Sequence, residues 1–249
     1  MTASQSATGK NFRPEPLHAA VARELMARVM AGQYNPGDLL PVEPKLVTEF
    51  GVSRTVIREA VRSLNDKGII SVRQGSGMRV EPPDQWSYLD PVVLFELVKA
   101  GRSPTLFDEL LEGRRILEVQ LVGLAAQKRT DEEAQELANL LARMREHIRD
   151  PDPAEYNNLD LAFHDLIARA ARNRLLLEAM RPITEVTRIG RFYTVSVQGG
   201  LELSLRGHDE LYRAVHAQDA LGAQQAMLHH VQQFEANIRQ ALHRQGGAV

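Results

Sequence analysis

Four ionisable residues in the second half of the chain, Asp160, His164, His208 and His230, are of the types that ligate metals. At about 100° per residue, a helix opened by Asp152-Pro153 and ended near Asn173 puts Tyr156, Leu159, Phe163 and Ile167 on one apolar arc. Asp160 falls within that arc, and His164, one turn on, falls at its edge. In the next-to-last helix the arc is Leu201, Leu205, Tyr212 and Val215, and His208 lies inside it. In the last helix it is Ala223, Met227, Phe234 and Ile238, with His230 inside and His229 about a quarter-turn away. Burying such groups without partners is costly, and one shared metal ion would satisfy all four. Taken singly, an inward histidine is more often a hydrogen-bonded core residue than a ligand, and Asp160 is also a candidate partner for a histidine or for Arg114.

A second constellation lies at residues 52–67. Gly51 ends one short helix and Ser53 suits the N-cap of the next. Val56, Ile57, Ala60, Val61 and Leu64 then follow helical spacing along one buried stripe. Arg54, Thr55, Arg58 and Arg62 are left for exposed faces, the first two in the opening turn, where a helix entering a DNA major groove meets bases and phosphates. An amphipathic helix with solvated arginines has the same pattern, so the neighbouring elements decide. Residues 43–50 form a supporting helix. Residues 70–73 and 78–81 read as two short strands around the turn Gln74-Gly75-Ser76-Gly77. Three helices and a small hairpin make a winged helix-turn-helix.

Length and charge agree with two domains. The chain has 249 residues and 43% hydrophobic content, enough for two cores. It has no cysteine, which excludes disulfides and thiolate metal sites. Its apolar runs are too short to span a bilayer and no secretory signal opens it, so a cytoplasmic location without membrane partners is expected. Net charge is −2, but residues 1–81 hold 11 Lys+Arg against 8 Asp+Glu, while the remainder holds 19 against 24. A basic N-terminal part and an acidic remainder suit one DNA-facing domain and one kept away from phosphates.

In chain order, residues 1–16 are polar and expected to be disordered, and 17–31 form the first helix. Residues 17–81 are the DNA-binding domain and 82–89, with Glu81-Pro82-Pro83-Asp84 at its start, a linker. Residues 90–244 form an all-helical bundle of about seven helices. The first starts at Asp90-Pro91 and stops at Gly101. Ser103-Pro104 opens a long one to residue 129, and Thr130-Asp131-Glu132-Glu133 is a capping box. A helix over 174–197 contains Pro182, Gly199-Gly200 breaks it, and 201–218 and 219–244 complete the set.

The run from Gly32 through Tyr34-Asn35-Pro36-Gly37-Asp38-Leu39-Leu40-Pro41, followed by Gly51-Val52-Ser53-Arg54-Thr55-Val56-Ile57-Arg58-Glu59-Ala60, resembles the DNA-binding domain of GntR-family transcription regulators. The resemblance implies DNA contacts at Arg54, Thr55, Val56 and Arg58 and, at the wing tip, Gln74 and Gly75. Two departures stand at the start of the supporting helix: Val42 replaces a small or capping residue, and Pro44 a polar or basic one. Proline cannot bind a phosphate through its side chain, and Lys45 is the candidate to do so in its place. Val56 offers at most an apolar contact, such as with a thymine methyl.

In the bundle, Asp160-x-x-x-His164, His208 and Ala226-Met227-x-x-His230 resemble the metal signature of the FCD domain, which marks the FadR subfamily of that family. The resemblance implies a divalent ion on these four residues. Zn²⁺, Ni²⁺, Mn²⁺ and Fe²⁺ all suit oxygen and nitrogen donors, with zinc the expected occupant. It further implies a small organic acid as effector over the metal and a homodimer on a short palindromic operator, acting as a repressor. Arg114, on the flank of the stripe Leu106, Leu110, Leu117, Leu121 and Leu124, is the candidate carboxylate clamp. Asn173, Arg188 and Arg191 are further effector candidates, with His216 a weaker one. The tract Trp86-Ser87-Tyr88-Leu89-Asp90 resembles that of sugar-acid-responsive members, and the resemblance implies an aldonate or related hydroxy acid. Two other readings are a metal sensor whose effector is the ion, and a metal-dependent enzyme fused to a DNA-binding domain. Enzymatic turnover needs an acid or base beside the metal, and no spare carboxylate is assignable to that role, so the chain is read as a non-enzyme.

Overall fold

A computed structural model describes residues 15–73, 76–101, 103, 105–150, 152–195 and 199–246, with side chains except at 149, 189–195 and 241–246. The expectation for residues 1–14 therefore lies outside the described residues, as do Gln74, Gly75 and the Arg191 side chain. The fold is mainly α, in two compact units, Met1–Tyr88 and Leu89–Val249.

The first unit is a winged helix-turn-helix built from α1 (Leu17–Met30), α2 (Glu43–Phe50), α3 (Arg54–Asp66), β1 (Ile70–Arg73) and β2 (Gly77–Val80). Leu25, Met26, Leu46, Ile57, Ala60, Leu64 and Ile69 are fully buried and lock the three helices together. The α2–α3 turn is set by chemistry already visible in the sequence. Gly51 takes φ 64°, a left-handed conformation that ends α2. Ser53 Oγ then accepts from Val56 N at 3.3 Å and opens α3. Val42 offers α2 no side-chain cap, and Pro44 sits in the first turn.

The hairpin is antiparallel, Ile70 opposite Val80 and Arg73 opposite Gly77, and Leu39 adds a bridge to Arg79 at its edge. Gly68 admits no side chain: its φ is 71° and a Cβ there would lie 2.1 Å from Gln85 O. Much of the segment expected to be a linker is accordingly folded. Pro83–Gln85 form a 3-10 turn, Trp86 Nε1 donates to Glu81 O and Ser87 N to Lys67 O, each at 3.0 Å.

The second unit is a bundle of α4 (Pro91–Ala100), α5 (Leu106–Lys128), α6 (Asp131–Arg149), α7 (Pro153–Ala170), α8 (Arg174–Val195), α9 (Gly200–His216) and α10 (Ala220–Gly246). Caps fix most of its starts. Asp90, Asp152, Asn173 and Asp219 each accept from backbone N–H groups of the turn that follows, and Thr130 with Glu133 completes a reciprocal capping box. The long second helix starts later than Ser103-Pro104 implied, after Thr105. Pro182 lies inside α8. Helix α5 runs through the middle, packed on α7, α8, α9 and α10, with α10 also against α8 and α9. Among the described residues no helix is long and apolar enough to cross a membrane.

The face α5 turns inward differs from the leucine stripe. Leu110, Leu111, Arg114, Glu118, Leu121, Val122 and Ala125 are buried, whereas Leu117 and Leu124 are only half-buried. Apolarity alone favours the leucines. The ion pair of Arg114 and Glu118 takes the centre of the buried face instead.

Candidate functional site

On the first unit, Arg54, Thr55 and Arg58 stand exposed on α3, and Lys45 on α2. Val56 is half-buried, its N–H bound to Ser53. Arg58 Nε donates to Glu43 Oε2 at 3.1 Å, so the first turn of α2 braces the guanidinium beside the start of α3. A helix N-terminus with two arginines and a threonine offers the charge and donors that phosphates and base edges accept.

In the second unit, Asp160 and His164 from α7, His208 from α9 and His230 from α10 each turn one ligand atom into a common space. These atoms lie within 4.8 Å of one another. All four side chains are at least nine-tenths buried, and His229, next in sequence to His230, is exposed. His164 Nε2 lies 3.2 Å from His230 Nε2, and His208 Nε2 3.0 Å from Asp160 Oδ1. Phe163 packs edge-on to His208 at 5.0 Å between centroids, and Tyr156 at 6.5 Å. Burial holds the Tyr156 phenol well above its ordinary pKa, so it remains a neutral donor to Leu201 O at 3.4 Å.

The donor set fits a divalent ion. His208 Nδ1 lies 2.8 Å from Ser204 O, and a carbonyl can only accept, so Nδ1 carries the proton. In the neutral ring Nε2 is then a bare lone pair, buried, facing a carboxylate oxygen with no hydrogen bond between them. Two acceptors in that position call for a cation, either a proton or a metal. His164 and His230 add two more nitrogens to the same space. Three imidazoles and one carboxylate match borderline divalent ions.

A small glycine makes room for one of these rings. A Cβ on Gly207 of α9 would meet His230 Nδ1 at 2.5 Å. Nothing in the sequence marks Gly207, since a glycine inside a helix reads only as a weakening residue.

Two further buried groups adjoin the cluster. Arg114 is fully buried, not a solvated surface residue: its Nε donates to Glu118 Oε1 at 3.0 Å and its guanidinium lies 4.1 Å from the Phe234 ring centroid. Glu118 Oε2 lies 3.7 Å from His164 Nδ1. A carboxylate does therefore stand beside the site, one already paired with Arg114, and the expectation of no spare carboxylate is corrected to that extent. Glu118 lies one turn beyond Arg114, and the leucine stripe gives it no role.

A cavity of about 290 Å³ opens beside the cluster, with Glu118, His164, Met180, Arg181, Thr184 and Met227 among its lining. Asn173, Arg188 and His216 are not among the residues that line it. Asn173 Oδ1 accepts from Leu176 N as the cap of α8, and Arg188 is exposed, 3.6 Å from Glu185. His216 is exposed as well.

Comparison with known proteins accords with both halves. Residues 17–80 match the bacterial regulatory proteins of the gntR family and residues 109–233 the FCD domain. The galactonate operon transcriptional repressor of Escherichia coli is 29% identical, over 81% of this chain and 87% of its own. The uncharacterized regulator YieP of Escherichia coli is 34% identical, over 71% of this chain and 74% of its own. Lar, which controls expression of the Listeria monocytogenes agr system, shares the fold at a TM-score of 0.61 and 18% identity, over 92% and 99% of the two chains. The chain belongs to the GntR family, with the FadR-type architecture of a winged helix-turn-helix followed by an FCD domain, and is a DNA-binding transcription regulator rather than an enzyme.

Proposed function

We propose that this regulator is a repressor whose FCD domain senses a small organic acid over a divalent metal ion. The observation that carries the reading is the convergence of Asp160, His164, His208 and His230 from three helices, next to a cavity that reaches His164 and Glu118. A bound ion would supply positive charge and open coordination positions for an effector carboxylate. Arg114, which adjoins the site through Glu118, is the proposed clamp, and Arg169 and Arg181 are the cations within the cavity lining itself.

The likeness to a galactonate operon repressor supports a sugar acid as the effector class. Two chains on a short palindromic operator, in the cytoplasm, would place two α3 helices in successive major grooves. Release of DNA then requires the acid to favour one dimer geometry over the other.

The test is operator binding followed by fluorescence anisotropy, with zinc and a panel of aldonic and hydroxy acids added separately and together. The reading predicts release only by an acid, and only with metal present. Release by zinc alone would make the ion the effector. An acid response that survives metal stripping would remove the metal from the sensing step.

A further inference from the structure

The two ring nitrogens of His164 look in opposite directions. Nε2 faces the cluster, 3.2 Å from His230 Nε2 and 4.0 Å from Asp160 Oδ1. Nδ1 faces α5, 3.7 Å from Glu118 Oε2. A histidine that offers one nitrogen to a metal carries its proton on the other, and the acceptor of that proton sets the tautomer and the basicity of the ligand. For His208 that acceptor is a backbone carbonyl, Ser204 O. For His164 the group in position is a buried carboxylate. Its other oxygen accepts from Arg114 Nε at 3.0 Å, and Arg114 in turn lies over Phe234, one turn beyond His230 on α10. Arg114, Glu118 and His164 thus form one buried line from α5 to the ligand cluster.

We infer that Glu118 is a positioning residue of the metal centre. It holds His164 with the proton on Nδ1 and Nε2 bare, and through its second oxygen it fixes that ligand to Arg114. This rests on the metal reading and assigns to Glu118 a role distinct from the four ligands. Because Glu118 and His164 both line the cavity, anything bound there touches the link between the arginine and the metal ligand. Neither an apolar stripe nor the ligand spacing marks Glu118 for this role. It rests on the burial of both groups and on the facing of Nδ1 and Oε2 at 3.7 Å, an ion-pair separation longer than a hydrogen bond.

Two measurements test it. The first is nitrogen-15 spectroscopy of the metal-free wild type at pH 8, in which His164 should carry its proton on Nδ1. The second compares zinc affinity, by competition with a chromophoric chelator, between the wild type and the double variant Arg114→Met with Glu118→Gln. Both residues are changed together because either single change would leave a buried charge uncompensated and endanger folding. The double variant, with folding checked by circular dichroism, should bind zinc about ten- to a hundredfold more weakly than the wild type. Equal affinities, or a His164 with its proton on Nε2, would overturn the assignment of Glu118 while leaving the metal site standing. No zinc binding by the wild type would overturn the metal reading and this inference with it.

Discussion

His208 Nε2 faces Asp160 Oδ1 at 3.0 Å, while its Nδ1 is tied to Ser204 O at 2.8 Å. That relationship joins α9 to α7 through a buried contact between two acceptor atoms, which a cation between them makes favourable. A proton would give an isolated ion pair. A metal also accounts for His164 and His230, whose Nε2 atoms meet 3.2 Å apart in the same space.

Gly207→Ala should weaken the metal site without touching a ligand. The new methyl would fall 2.5 Å from His230 Nδ1, and a ring packed this tightly has little room to move aside. Zinc affinity should fall at least about tenfold, the scale on which disturbed support of a metal ligand is felt, while affinity for DNA without effector stays at the wild-type value. Undiminished zinc affinity would mean that the ring adjusts and that Gly207 has no part in the site.

On the DNA face, Arg54→Ala or Arg58→Ala should cost on the order of 1–3 kcal/mol of operator affinity if each arginine reads a base edge. Lys45→Ala should weaken binding evenly across sequences and lower the salt slope by about one unit, as expected when a lysine that neutralises a phosphate is removed. Gel shifts on the native operator at several salt concentrations separate the two. Unchanged affinity in the arginine variants would remove α3 as the reading helix.

The capping box of α6 makes a prediction about stability and pH. Burial pushes the Glu133 carboxyl up, but the Arg172 guanidinium and the Thr130 N–H outweigh it and hold the group below its ordinary 4.5. A depressed carboxylate stabilises the fold above about pH 4.5, and that contribution disappears as pH falls through the lowered value. Thr130→Ala should cost roughly 1 kcal/mol in urea unfolding at pH 7. Glu133→Gln should flatten the loss of stability between pH 5 and 3. A wild-type acid profile in Glu133→Gln would contradict the assignment.

Much of this was legible in the sequence because it depends on local chemistry. Ser53, Asp90, Thr130 and Asp152 act as helix caps where their types and positions suggest. Helical spacing separates His230 from His229, since one residue turns the helix by more than a quarter of a circle. What the sequence concealed is tertiary. Arg114 and Glu118 are a charged pair that hydrophobic periodicity leaves off the centre of the leucine stripe. They are buried because each neutralises the other and because His164 and Phe234 surround them. Gly207 is silent for a related reason: its value lies in a ring on another helix. Asn173, close to the motif in sequence, is used as the cap of α8.

The most direct test of the metal centre is equilibrium dialysis against zinc for the wild type and three single variants, with folding checked by circular dichroism. The account predicts one tightly held ion per chain in the wild type and in His229→Ala, and loss of that ion in His208→Ala and His230→Ala. A wild type that holds no ion, or a His229→Ala that loses it while His230→Ala retains it, would contradict the account.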